Sequence, residues 1–252
     1  MAPRSSHWLI SVAVCSLALA VYLGAALAGG IALGGAVAGA ATGAMAALAF
    51  FIGHRWVTTG KPFPAARMPV VPTARIWGMV AAGFVLCWIA GQTAAIWLGS
   101  VVHSPNWEAN AEARAQSPAW LLVLTALVLA PIGEEALVRG VIFARMRRHL
   151  PLMASAIASA AVFALLHANV IQIAATLPIG VLLALAYEAS GRLWVPIGLH
   201  VAFNLLATIV PVGAIAAITS LPTALVAVIA AGIALTMLAS LLEPAPAPAP
   251  AV

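Results

Sequence analysis

Apolar runs near 8–28, 31–52, 76–102, 119–142, 152–168, 170–189, 194–210 and 221–242 leave this chain few residues with which to build a water-facing surface. A membrane-crossing helix needs about 20 predominantly apolar residues, roughly 30 Å at the helical rise, and most of these runs reach that length. A mean hydropathy of +1.12 and a charged fraction of 7% place the chain outside the soluble globular class. The expected fold is all-α, a polytopic membrane protein of about eight transmembrane helices. Residues 1–242 read as a single integral-membrane domain, followed by a Pro/Ala-rich tail at 243–252.

Charge sets the orientation. Ten Arg and one Lys stand against six Glu and no Asp, for a net charge of +5. The basic residues fall between apolar runs: Arg55, Lys61, Arg67 and Arg75 in one loop, Arg145, Arg147 and Arg148 in another, and Arg192 in a third turn. By the positive-inside rule these loops are cytoplasmic, and residues 103–118, with Glu108, Glu112 and only Arg114, form an outer loop. Both termini are then expected in the cytoplasm, with the bacterial inner membrane as the setting. No basic-aromatic stripe points to nucleic acid, so the expected partners are the lipid bilayer and a membrane-associated peptide or protein.

Several features carry no chemistry of their own. Ala18-Leu19-Ala20 resembles a signal-peptidase site, but the apolar run continues past it to about Ala28, so a retained first span is expected. Cys15 and Cys87 are too few and too isolated for a disulfide framework or thiolate metal site. Gly35, Gly39 and Gly43 form a small-residue stripe that lets a neighbouring helix approach closely. Trp8, Trp56, Trp77, Trp107, Trp120 and Trp194 fall near run ends, as interfacial anchors do. His7, His54, His103 and His149 read as solvated, and Glu188 as a residue that reaches to the interface.

Polar residues inside the runs are the exception, and ionisable groups at membrane depth are costly enough to mark function. Glu134 and Glu135 precede Arg139, His167 follows Phe163 by four residues, and His200 precedes Asn204 by four. Each spacing of four keeps two residues on one helical face. Glu135 and Arg139 can form a buried pair, whereas Glu134 lies about 100° round the helix without that cation, which makes it the candidate general base. Pro131 lacks a backbone N–H and crowds the carbonyl of Leu127, so the helix is expected to bend beside the two acids. Two readings of the set stay open. Glu134, His167 and His200 suit a divalent metal such as Zn²⁺ with water in an open position. Equally, with no cofactor, Glu134 activates water while His167 assists and His200 with Asn204 stabilises an oxyanion. No Gly-x-Ser-x-Gly setting is present, and the lack of Asp excludes an aspartyl dyad.

Together, Glu134-Glu135-Ala-Leu-Val-Arg139, Phe163 to His167, and His200 to Asn204 resemble the three motifs of the CPBP family, the CAAX proteases and bacteriocin-processing enzymes also called ABI. The resemblance covers about residues 118–210. It implies an eight-helix intramembrane endopeptidase whose site opens toward the cytoplasmic side. It also implies that Glu134 activates water, that His167 assists, that His200 and Asn204 form the oxyanion site, and that Glu135 and Arg139 organise the pocket. A rival reading is a non-catalytic membrane immunity or regulatory protein of the same fold.

For the three motifs to meet at one depth, helical arithmetic demands an adjustment. His167 lies about 24 Å along from Pro151, but His200 only about 9 Å from Trp194. The expectation is a surface-lying segment within Gly140 to about Met153, with the fifth span starting deeper than hydropathy suggests.

Overall fold

The computed structural model describes residues 4–59 and 73–243. Lys61, Arg67 and the tail from residue 244 onward lie outside the described residues. The described chain is helical: α1 (Arg4–Leu33), α2 (Ala36–Thr59), α3 (Ala74–Val101), α4 (Pro105–Gln116), α5 (Ala119–Met146), α6 (Leu152–Leu165), α7 (Val170–Ser190), α8 (Trp194–Ile209), α9 (Val212–Ala216) and α10 (Leu221–Leu242). Each expected apolar run has become a helix. Six of them are long and apolar enough to cross a bilayer on length and composition, while α6 and α8 are shorter. Large apolar side chains face outward, Ile31 at 77% exposure and Val226 at 66% among them, as lipid-facing positions do.

Two cores share the interior. One gathers α3, α7 and α10 with the start of α6, around Cys87, Leu152, Leu182 and Leu238. The other gathers α1, α2 and α5 with Phe163 of α6, around Ala18, Ala47, Leu137 and Ile142.

Small residues set the approach of α1, α2 and α5. Gly39 and Gly43 of α2 face α1 so closely that a Cβ at Gly39 would lie 2.6 Å from the Ala26 carbonyl oxygen, and one at Gly43 2.9 Å from Ala26 Cβ. Gly35 does not belong to that stripe. With φ +94° it sits in the hairpin turn beside Gly34, at φ +78°, where only a residue without Cβ is unstrained. On the other side of α2, a Cβ at Gly133 of α5 would fall on the backbone of Ala44. The helix carrying the two acids is therefore seated directly on α2.

Two expectations need correction. Residues 103–118 are not simply a loop, because Pro105 at the first turn, Glu108 within it and Arg114 in the last turn support the helix α4. The surface part of the segment from Gly140 to Met153 is confined to the turn at Arg148, His149 and Pro151, which are exposed. α5 continues past Gly140 to Met146 with residues 138–143 all buried, and only a tight turn precedes α6. α8 begins six residues before His200, as the spacing implies, with Leu193 packed against the second core.

Replacing Gly133 by Ala should destabilise the protein by about 1–3 kcal/mol, the range for overpacking a close contact. Gly78→Ala, where nothing lies within 4 Å of the added Cβ, should be neutral or stabilising by up to about 1 kcal/mol. Denaturant unfolding of the purified full chain in micelles checks both signs.

Candidate active site

Pro131 shapes the helix that carries the acids. The helix does not break before it but widens into a π segment at Thr125–Leu129, so that the Ala130 N–H donates to Thr125 five residues back. The following residue is proline and has no N–H, leaving the Ala126 carbonyl without a donor from the next turn. Asn204 of α8 supplies one, its Nδ2 lying 2.8 Å from the Ala126 oxygen. One turn further on, a second π segment at Val138–Phe143 begins at the end of the acidic motif. Glu134 and Glu135 thus sit on a short α-helical stretch, Ala130–Leu137, between two departures from regular winding.

Glu135 is fully buried, and its Oε1 accepts from Arg139 Nη1 at 2.8 Å and from His200 Nδ1 at 2.9 Å. Arg139, also fully buried, spends its Nη2 on the carbonyl of Gly180 at 2.6 Å and lies over the Phe163 ring, 4.8 Å from its centroid. Gly180 can offer that carbonyl because α6 comes in close beside it, a Cβ there reaching 3.0 Å from Ala160 Cβ. One ion pair therefore ties α5 to α7 and α8.

Since a carboxylate only accepts, His200 carries its hydrogen on Nδ1. Its Nε2 then faces Glu134, with Oε2 at 3.9 Å, beyond direct hydrogen-bonding range but close enough for a bridging water to serve both. His200 and Glu134 are both buried. The hydroxyl of Tyr22, on α1, lies beside the Glu134 carboxylate. Unlike Glu135, Glu134 is paired with no Arg among the described residues.

His167 sits in the turn just past α6. Its Nδ1 lies 3.1 Å from the Phe163 carbonyl, which fixes the hydrogen on Nδ1 and leaves Nε2 as an acceptor. The Phe163 ring stands between the two imidazoles, edge-on to each with centroids 5.3 Å away, and Glu134 lies within electrostatic range of His167. Ala168 holds the turn in a left-handed conformation at φ 55°, uncommon for a residue with a Cβ. Asn106 of α4 donates to the Ala168 carbonyl at 2.9 Å, and Asn169 donates to the His167 carbonyl at 3.1 Å while its Oδ1 caps α7 through the Gln172 N–H at 2.8 Å.

The structure therefore gathers Glu134, Glu135, Arg139, His167 and His200 around Phe163 and places Asn204 one turn along, on the π segment. Among the described residues no three His, Cys, Asp or Glu side chains form a group able to hold a metal ion. Glu135 Oε1 is committed to Arg139 and His200, and the separation of His200 Nε2 from Glu134 is wide for two ligands about 2 Å from one Zn²⁺. The donor set of Glu134, His167 and His200 does not fit a three-ligand zinc site as arranged, and no step below runs through one.

Tyr22 and Ala126 were not singled out in the sequence. For Tyr22 the only signal was a hydroxyl inside an otherwise apolar run. The Ala126 carbonyl could be found only by combining Pro131 with a change of helical register. The solvated reading falls short for His54, which is half-buried, stacks on Phe50 and meets Arg145 at 2.9 Å, whereas His149 is exposed as expected and bonds Ser11 at 3.0 Å. His103 pairs with exposed Glu108 at 3.0 Å, and Glu188 with Arg147 at 3.0 Å.

Residues 116–206 match the family model described as Type II CAAX prenyl endopeptidase Rce1-like. That is the CPBP resemblance carried by the three motifs, and the matched segment contains all of them. The match spans a little over a third of the chain, from the end of α4 into α8. No curated protein and no solved structure matches the chain. At the level of the family, the chain is similar to CAAX-type intramembrane proteases, and its long apolar helices make it an integral membrane protein.

Arg139→Met should destabilise by about 3–5 kcal/mol, because it strands the buried Glu135 carboxylate. The double variant Glu135→Gln/Arg139→Met should recover a large part of that loss. Asn204→Leu, which orphans the Ala126 carbonyl, should cost about 1–3 kcal/mol. Unfolding midpoints of the four proteins in one detergent decide these values.

Proposed function

We propose that the protein is an intramembrane endopeptidase that hydrolyses a peptide bond of a membrane-associated or lipidated peptide or protein near the cytoplasmic side, using water activated by Glu134. The observation that carries this reading is the division between two adjacent acids. Glu135 is tied down by Arg139 and His200, while Glu134, paired with no Arg among the described residues, holds its Oε2 3.9 Å from an imidazole nitrogen, a separation that one water beside the two could bridge, with the Tyr22 hydroxyl next to it.

A water between Glu134 Oε2 and the imidazoles donates one hydrogen to the carboxylate and the other to His167 Nε2, which points its oxygen at the scissile carbonyl. Glu134 takes the proton as the oxygen attacks. His200, its Nδ1–H held by Glu135, donates to the developing oxyanion when its Nε2 also carries a proton, and Asn204 retains a second amide hydrogen for the same oxygen. Collapse of the tetrahedral intermediate breaks the C–N bond, and Glu134 returns its proton to the departing amine. Tyr22 fixes the rotamer of Glu134 through this cycle. Burial of the site in an apolar bundle strengthens each of these interactions and keeps bulk water out.

The test is cleavage of a farnesylated membrane peptide by the full chain in proteoliposomes, with products identified by mass spectrometry. Glu134→Gln should lower kcat by at least ~10²-fold with an unchanged unfolding midpoint, the range for loss of a general base. Tyr22→Phe should lower it by about tenfold, about 1.4 kcal/mol, close to the lower limit for a hydroxyl acting on a charged carboxylate. Turnover by Glu134→Gln at the wild-type rate would exclude this mechanism. A wild-type protein that binds such peptides and leaves them intact supports the non-catalytic immunity or regulatory reading instead.

A further inference from the structure

A second charged site lies at the basic end of the bundle, away from the acids. Arg145, near the end of α5, is 9% exposed. No ion pair joins it to a carboxylate among the described residues. The hydrogen-bonding partner of its guanidinium among the described residues, His54 Nε2 at 2.9 Å, must accept and is therefore the neutral tautomer, so it contributes no balancing charge. A buried cation held this way is expensive unless an anion joins it.

Beside it is a cavity of about 260 Å³, lined by His7, Ile10, Ser11, Arg145, Arg148 and His149 and by no acid. Glu188 is taken by Arg147, at 3.0 Å. Ser11 and His149 hydrogen-bond to each other at 3.0 Å on its wall, and Trp8 stands edge-on to the His149 ring with centroids 5.0 Å apart. The volume is below the roughly 300–1,000 Å³ typical of drug-sized sites and suits a single headgroup.

We propose that this cavity binds a phosphate group, with Arg145 and Arg148 as the charged donors and the Ser11–His149 pair as polar wall. Its source is an anionic phospholipid. Ile10 forms part of the lining, and Leu9, Ile10 and Leu17 lie exposed along α1, 67%, 55% and 56%, giving acyl chains an apolar track that continues from the cavity. Basic pockets between helix ends on the cytoplasmic side hold anionic headgroups in this manner. The site needs no catalysis, so its failure leaves the proposed hydrolysis untouched.

The experiment compares the unfolding midpoint of the full chain in neutral detergent doped with dioleoylphosphatidylglycerol or dioleoylphosphatidylcholine, and with sodium phosphate against sodium chloride at equal ionic strength. Native mass spectrometry counts the lipid retained. Phosphatidylglycerol should stabilise the wild type and phosphatidylcholine should not. Arg145→Gln and Arg148→Gln should each weaken retention at least tenfold, the value of a charge-assisted hydrogen bond of about 1.5–3 kcal/mol. Arg148 is exposed, so its variant keeps the test valid should Arg145→Gln fail to fold. Arg114→Gln, in α4, should behave as wild type. Stabilisation by inorganic phosphate alone, lost in the same two variants, keeps the phosphate site and replaces the lipid as its source. Equal retention in wild type and both variants, or no anion effect at all, overturns the proposal.

Discussion

One carboxylate oxygen, Oε1 of Glu135, receives both Arg139 and His200, and the interior of the bundle is organised by that choice. A buried ion pair seldom adds much net stability, because desolvating two charges offsets most of their attraction. Its value here is geometric. Arg139 reaches across to the Gly180 carbonyl and covers Phe163, so α5, α6 and α7 are held in one relative arrangement by a single side chain, and α8 joins them through His200 on Glu135. His200 gains a fixed tautomer and a fixed ring plane from the same oxygen. Polar groups in an apolar bundle have few alternative partners, which makes such an arrangement specific.

That commitment is what releases Glu134. Two adjacent acids on a helix point about 100° apart, so they meet different neighbours. One faces Arg139 and becomes structural, while the other faces α1 and the imidazoles. The three elements around Glu134 come from distant parts of the chain: Tyr22 from the first helix, His167 from a turn strained at Ala168, and His200 from the short α8. Small residues make the convergence possible. Gly43 lets α1 lie along α2, and Gly133 lets α2 lie along the acidic helix, so the Tyr22 hydroxyl can reach Glu134.

Much of this was legible in the sequence. The apolar runs became the long helices, and the spacing of four between Glu135 and Arg139 gave a face-to-face pair. Residues 103–118 were misread because polarity suggested a loop, although Pro105 and the placement of Glu108 and Arg114 were helix signals already present. Tyr22 could not be read at all, since hydropathy treats a tyrosine in a first span as one more apolar residue. Helical arithmetic places a surface-lying segment after Gly140, whereas α5 runs on there as a buried π segment to Phe143; the short approach of α8 to His200 is as the spacing implies. The basic end shows the same limit at one residue, for His54 is half-buried against Phe50 and Arg145 rather than solvated.

The two π segments of α5 have a consequence for how this chain tolerates change in length. Each accommodates one residue more than a regular turn, which shifts everything beyond it by about 100° of rotation relative to an unbroken helix. The orientation of the acid pair thus depends on the winding upstream of it as well as on residue count. Loss of one amino acid between Leu124 and Ala130 would let the winding relax to the ordinary form, leave the hydrophobic length nearly unaltered, and keep both acids aimed at the imidazoles, whereas a deletion within the regular turn at Ala130–Leu137 has no extra residue to draw on and would turn whatever follows it by about 100°. A one-residue gap at a π segment among related sequences is therefore a change of winding rather than of aim.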